Sequence, residues 1–162
     1  MSGRPAILVR TARLDDHDAL VVLFDELDEF HRQARPDVFQ PFAGPARTRG
    51  QIERWLGGPG STLLVAEQEG DVVGLAVLVT RPPPAFAGAI PHKVIELENI
   101  VVRADLRGQG IGRHLLDAAL GWSREQEASH VGVAVHAFNR DARRFYEAFG
   151  FAASIDRLVL RT

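Results

Sequence analysis

The sequence predicts a mixed α/β domain of the α+β type: a mostly antiparallel sheet with a central parallel strand pair, flanked by about four helices. Three observations carry that prediction. Two apolar strand-like segments, Thr62 to Glu67 and Val72 to Thr80, flank Gln68-Glu69-Gly70-Asp71, a good hairpin turn. A strand-like run from Lys93 to Arg103 leads into a glycine-rich loop, a long helical pattern and a further strand, which implies a parallel pair joined by a right-handed crossover. The 162 residues contain no repeat, no low-complexity tract and no convincing linker, so a single domain over 1–162 is expected.

Ala6 to Val9 is a short apolar run and the first expected strand. Asp15 and Asp16 precede a helical pattern in which Ala19, Leu20, Leu23, Phe24, Leu27 and Phe30 share one face. Asp25, Glu26, Asp28 and Glu29 fall mostly on its other faces; such a set attracts cationic amines or, more often, is simply a solvated surface. The helix should stop before Pro36, because the residue preceding proline avoids the helical region. After a loop with Pro36, Pro41, Gly44 and Pro45, a short helix is expected over Arg49 to Leu56, stopped by Gly57-Gly58-Pro59-Gly60.

Pro82-Pro83-Pro84 ends the hairpin, since three missing N–H groups cannot join a ladder, and the stretch to Pro91 reads as a surface loop. Ile111 to Glu127 sets Ile111, Leu115, Ala118, Ala119 and Trp122 on one side of a helix. Val131, Val133 and Val135 alternate with small residues in another strand. Asn139 is placed to cap a helix whose Ala142, Phe145, Tyr146 and Phe149 recur at helical spacing, and Gly150 suits the position just past its end. Phe151 to Leu160 is expected to supply the last strand or strands.

A formal charge of −2 gives no electrostatic reason to expect nucleic acid as the main partner. The absence of cysteine excludes disulfides, thiolate metal sites and a covalent Cys intermediate, and is compatible with a reducing cytoplasm. The apolar run Ala6 to Val9 is too short for a signal-peptide core, and nothing approaches the roughly 20 apolar residues that span a bilayer. A cytoplasmic protein without a membrane partner is the expectation. His92, His114, His130 and His136 show no metal-ligand spacing, so no metal is expected.

The loop Arg107-Gly108-Gln109-Gly110-Ile111-Gly112 has the chemistry of an anion cradle. Glycines let the backbone turn sharply, and the first amides of the following helix lack internal partners. The helix dipole adds partial positive charge there, and Arg107 and Arg113 can add more, so a pyrophosphate would suit the place. A Walker loop would need Gly-Lys-Ser or Gly-Lys-Thr, but Gly112 is followed by Arg113-His114. A dinucleotide fingerprint would need glycine at position 113, which is arginine. A glycine-rich turn without a ligand is the bland alternative.

The run from Ile100 to Gly112 resembles motif A of the GNAT superfamily of acyl-CoA-dependent N-acetyltransferases, and Asn139-x-x-Ala142-x-x-Phe145-Tyr146-x-x-Phe149-Gly150-Phe151 resembles its motif B. The resemblance covers nearly the whole chain and is specific in its second half, where Ala104 stands in place of a proline common among relatives. It implies that acetyl-CoA is the acyl donor and that an amine, small-molecule or peptide, attacks the thioester directly. It further implies that Val101, Val102, Arg107, Gly108, Gln109, Gly110, Ile111, Gly112, Arg113, Asn139 and Tyr146 bind the cosubstrate, with the Val102 N–H at the thioester carbonyl. A homodimer accords with family habit, though no residue demonstrates it.

Tyr146, the only tyrosine, stands where the family often places a general acid; a core aromatic at helical spacing is the alternative. Glu96 and Glu98 share a strand face by period-two alternation, and the resemblance assigns Glu98 the deprotonating role; a carboxylate satisfied by a nearby arginine is the alternative. Asn139 caps its helix in either case. His31, near the end of the first long helix, faces the acceptor side or merely complements the helix dipole. The expected function is an N-acetyltransferase acting on a primary amine. A non-catalytic acyl-CoA-binding module on the same fold is the competing reading, and an ATP-binding protein the weaker third.

Overall fold

The computed structural model describes residues 3–162, with Met1 and Ser2 outside the described residues. One sheet runs in the order β1 (Ile7–Thr11), β2 (Ser61–Gln68), β3 (Asp71–Thr80), β4 (Val94–Val102), β5 (His130–Val133). The first four strands are antiparallel neighbours, and β5 joins β4 in parallel. The helices are α1 (His17–Ala34), α2 (Arg49–Gly57), α3 (Ile111–Glu125) and α4 (Arg140–Ala148). None among the described residues is long and apolar enough to cross a membrane.

Residues 63–66 and 75–78 read as continuous apolar runs because the sheet is covered on both faces. Alternate side chains enter different cores. Leu63, Val65, Leu75 and Val77 pack under Leu20, Leu23 and Phe24 of α1 and Ile52 of α2. Leu64, Ala66, Ala76 and Leu78 pack under Ile111, Leu115, Leu116 and Ala119 of α3, where Tyr146 of α4 also enters. The β2–β3 turn places Glu69 at φ 52° and Gly70 at φ 88°, the left-handed pair that two-residue hairpins favour. Thr48 and Gln51 form a reciprocal capping box that starts α2.

One irregularity in β4 organises the rest of the molecule. Its register with β3 runs Val77↔Asn99 and then Leu78↔Leu97, so Glu98 is an extra residue without a partner. Such a bulge bends its strand and shifts the alternation by one. Ile95 and Leu97 accordingly belong to the core under α3, whereas Val101 belongs to the core under α1. Pairing with β5 stops at the same place, covering only Val94–Leu97 against His130–Val133. Beyond it the two strands part.

Two expectations change here. The strand expected through Val135 ends at Val133, because β4 has bent away and offers no further partner. Residues 151–162 form no strand, although the sequence suggests one there. Ile155, Leu158, Val159 and Leu160 stand exposed; an apolar pattern records strand propensity, but a strand exists only where a neighbouring edge takes its hydrogen bonds.

Candidate active site between the parted strands

The gap between β4 and β5 opens a cavity of about 510 Å3. Leu97 to Val102 form one wall and Val133 to His136 the other, with the glycine loop at one end and α4 alongside. The sheet edge exposed there is polar. Arg103 N donates to Val73 O at 2.9 Å, so ladder alternation turns the Val102 N–H toward the opposite edge, into the gap. The Val102 carbonyl faces the same way and accepts Arg107 Nε at 3.0 Å. A backbone donor and a guanidinium therefore sit together at the end of β4.

The loop has the geometry of an anion cradle. Gly108 and Gly110 take φ of +75° and +90°, a region that L side chains rarely adopt, and Gly110 is the N-cap of α3. A Cβ on either would meet nothing within 4 Å, so these glycines answer a backbone requirement rather than crowding, and leave the amides open to a ligand. Gly110 has no capping side chain, which leaves the first α3 amides without that partner. Residues Arg107, Gly108 and Gly112 line the cavity.

Other loop residues serve differently. Ile111 is 1% exposed, so its side chain belongs to the core and only its backbone is free to bind. The Arg113 guanidinium lies 5.3 Å over the Phe149 ring, tying α3 to α4. Gln109 and Gly110, like Ile111 and Arg113, are not part of the cavity wall; Val101, Val102, Asn139 and Tyr146 are. Asn139 Oδ1 accepts the Ala142 N–H at 3.1 Å, confirming the cap, while its amide nitrogen remains a donor at the cavity.

Tyr146 is 7% exposed and packs between Phe145 and Phe151, with ring centroids 5.3 and 5.5 Å away. Burial pushes its phenol up to about 12, so it carries its proton throughout the physiological range. It lines the cavity as well as the core.

A second cavity of about 520 Å3 lies beyond, bounded by α1 and the loop that follows it. The two cavities share Leu27, His31, Glu98, Asn99, Ala134 and His136. That common wall contains three ionisable groups. Glu98 is the unpaired bulge residue, with its side chain 27% exposed and held by Arg81 at 3.2 Å. Glu96 lines neither cavity and would crowd any Cβ at Gly132, to which its carboxylate oxygen lies at 2.8 Å.

His31 is anchored to its own helix. Its Nδ1 lies 2.8 Å from Leu27 O; a carbonyl can only accept, so Nδ1 is the donor of that bond. His136 sits 5.2 Å from it, centroid to centroid, and stacks on Phe138. Partial burial, then repulsion from His31 and Arg35, moves His136 below the ordinary imidazole value. Phe30 and Phe39 complete the aromatic group around the pair.

Sequence reasoning reached Glu98 and His31 but missed His136, Phe39 and Phe138. The available signal was Phe39 and Phe42 within a proline-containing loop, together with His136 two residues before Phe138. Three of the acidic set Asp25, Glu26, Asp28 and Glu29 on α1 have partners within the fold. Glu26 accepts the Ala104 N–H at 3.0 Å, Asp28 pairs with Arg47 at 2.9 Å, and Glu29 pairs with Arg32 at 2.8 Å.

Comparison with known proteins agrees with this geometry. The family model described as Acetyltransferase (GNAT) family matches residues 23–151. An uncharacterized N-acetyltransferase of Bacillus subtilis, YhfO, is 28% identical over 143 residues, covering 88% of each chain. Streptothricin acetyltransferase of Streptomyces lavendulae is 31% identical over 91 residues, covering 56% of this chain and 44% of its own. Among solved structures, the tetramutant of the BH1408 protein from Bacillus halodurans superposes with a TM-score of 0.89 at 22% identity, covering 96% of this chain and 99% of its own. The aminoglycoside N-acetyltransferase AAC(6')-Iy, solved in complex with CoA, gives 0.72 at 16% identity, covering 100% and 98%.

Proposed function

This chain belongs to the GNAT acetyltransferase family, and from that premise we propose that it transfers an acetyl or other short acyl group from acetyl-CoA to a primary amine in a ternary complex. One observation carries the reading: two cavities meet at a wall bearing Glu98, one of them ending on the glycine cradle and the Val102 edge. A donor and an acceptor entering from opposite ends would meet there.

Acetyl-CoA supplies an activated acyl carbon. The pyrophosphate is held by the amides from Gly108 to Gly112 with Arg107, and the pantetheine arm lies along the open edge of β4 as an added strand would. The Val102 N–H holds the thioester oxygen as charge gathers on it. The amine nitrogen forms the new N–C bond, Glu98 takes its proton directly or through water, and the C–S bond breaks. The Tyr146 hydroxyl gives its proton to the departing thiolate; a phenol pushed up to about 12 is always charged with that proton at neutral pH.

Thiol release measured with a panel of amines, alongside calorimetry with acetyl-CoA, tests the proposal. Amine-dependent release is expected. Tight acetyl-CoA binding without any release would instead identify a non-catalytic binding module on the same fold.

A further inference from the structure

The acceptor-side cavity has a lining that discriminates among amines. Leu27, Val38, Phe39 and Phe42 form its apolar wall, with His31 and His136 where it meets the donor cavity. Val38 and Phe42 are 56% and 54% exposed, so the loop after α1 presents apolar groups to an open cavity instead of burying them. His31 and His136 present aromatic faces, and His136 is held toward its neutral form.

The charged groups in the same lining are already paired. Asp28 faces Arg47 at 2.9 Å, Glu98 faces Arg81 at 3.2 Å, and Arg32 faces Glu29 at 2.8 Å. Among the described residues, Asp28 and Glu98 are the carboxylates bordering this cavity, and each has its guanidinium. A polycation needs one uncompensated carboxylate for each ammonium drawn out of water. Neither carboxylate here is uncompensated, and the task of Glu98 is at the reacting nitrogen. An apolar body, in contrast, gains from every contact with Phe39, Phe42, Val38 and Leu27.

We infer that the acceptor is a monoamine with an aromatic or branched apolar body, seated against Phe39, Phe42 and Val38 with its amino group at Glu98. Polyamines and aminoglycosides are then poor substrates, whatever a fold neighbour acts on. The inference rests on the acetyltransferase reading above.

Thiol release by the full chain at saturating acetyl-CoA, compared for phenethylamine, isoamylamine, spermidine and kanamycin, tests it. The kcat/KM for the first two should exceed that for the last two by about tenfold or more. Phe42→Ala should raise KM for phenethylamine about tenfold while acetyl-CoA affinity, read by calorimetry, stays as in the parent. Val38→Ala, on the same loop, serves if the first variant folds poorly. Equal or better turnover of spermidine or kanamycin overturns the inference and leaves the acetyltransferase reading standing. Release with a wider panel of amines but with none of these four overturns the inference alone, and no release with any amine overturns both.

Discussion

The two ends of the cleft are built from different materials. The end proposed for the donor is made of backbone: the unpaired edge of β4, two left-handed glycines and the first amides of α3. The end proposed for the acceptor is made of side chains gathered from α1, the loop after it, the β4 bulge and the segment after β5. Backbone geometry constrains sequence tightly, because only glycine tolerates those φ values without cost. A wall of side chains is satisfied by many combinations of apolar residues. The donor end is therefore the part a fold must keep, and the acceptor end the part it can change to suit a new substrate.

Perturbing the point where the ends meet should have the largest effect. Tyr146→Phe removes the hydroxyl proposed as proton donor and preserves the ring packing, so kcat should fall about 100-fold while the KM for acetyl-CoA stays within about twofold. Unchanged turnover would return Tyr146 to the core alone. Glu98→Gln should lower the rate about tenfold near neutral pH while the KM for acetyl-CoA stays within about twofold. An unchanged rate would place the proton acceptor elsewhere on the shared wall, on His31 or His136.

Smaller effects should then separate the two materials. Gly110→Ala places a Cβ in open space but at a φ of +90°, so the cost is conformational, about 1 kcal/mol or roughly fivefold in acetyl-CoA affinity. Acceptor KM should not move; if it did, the separation of donor and acceptor ends would fail. The smallest effect belongs to His136. Its folded-state value lies below 6.5, so the unfolded chain takes up a proton more readily. The stabilisation is complete above pH 6.5 and is lost as the pH falls below it. His136→Gln should flatten that part of the stability curve by a few tenths of a kcal/mol, allowing for solvent screening, as followed by thermal melts across pH.

The difference in materials also decides what could be read from the sequence. The strand, the glycine loop, α3 and the Asn139 cap are encoded within about 50 consecutive residues, where local rules of turn and cap apply. The aromatic wall joins Leu27 and Phe39 to Asn99 and His136, and no periodicity links positions so far apart. The bulge escaped for a subtler reason. Val94 to Val102 alternates as far as Glu98 and then sets the polar Asn99 beside it, a one-residue slip that reads as a single polar position in an otherwise regular strand. The final strand failed for the opposite reason: the pattern from Ile155 to Leu160 is clear, but the partner edge that would make it a strand lies outside the pattern.

The unpaired residue in β4 sets a limit on how this protein can change. Removing position 98 would set Leu97 and Asn99 as consecutive residues against Leu78 and Val77, so the ladder would become regular while Ile100, Val101 and Val102 kept their partners and faces. The strand would straighten toward β5, and the gap that admits a ligand would narrow. Replacing a residue in the cleft thus leaves the opening in place, whereas losing the bulge residue would close it. The chain can be rewritten at this site letter by letter, but its length is fixed by the opening it maintains.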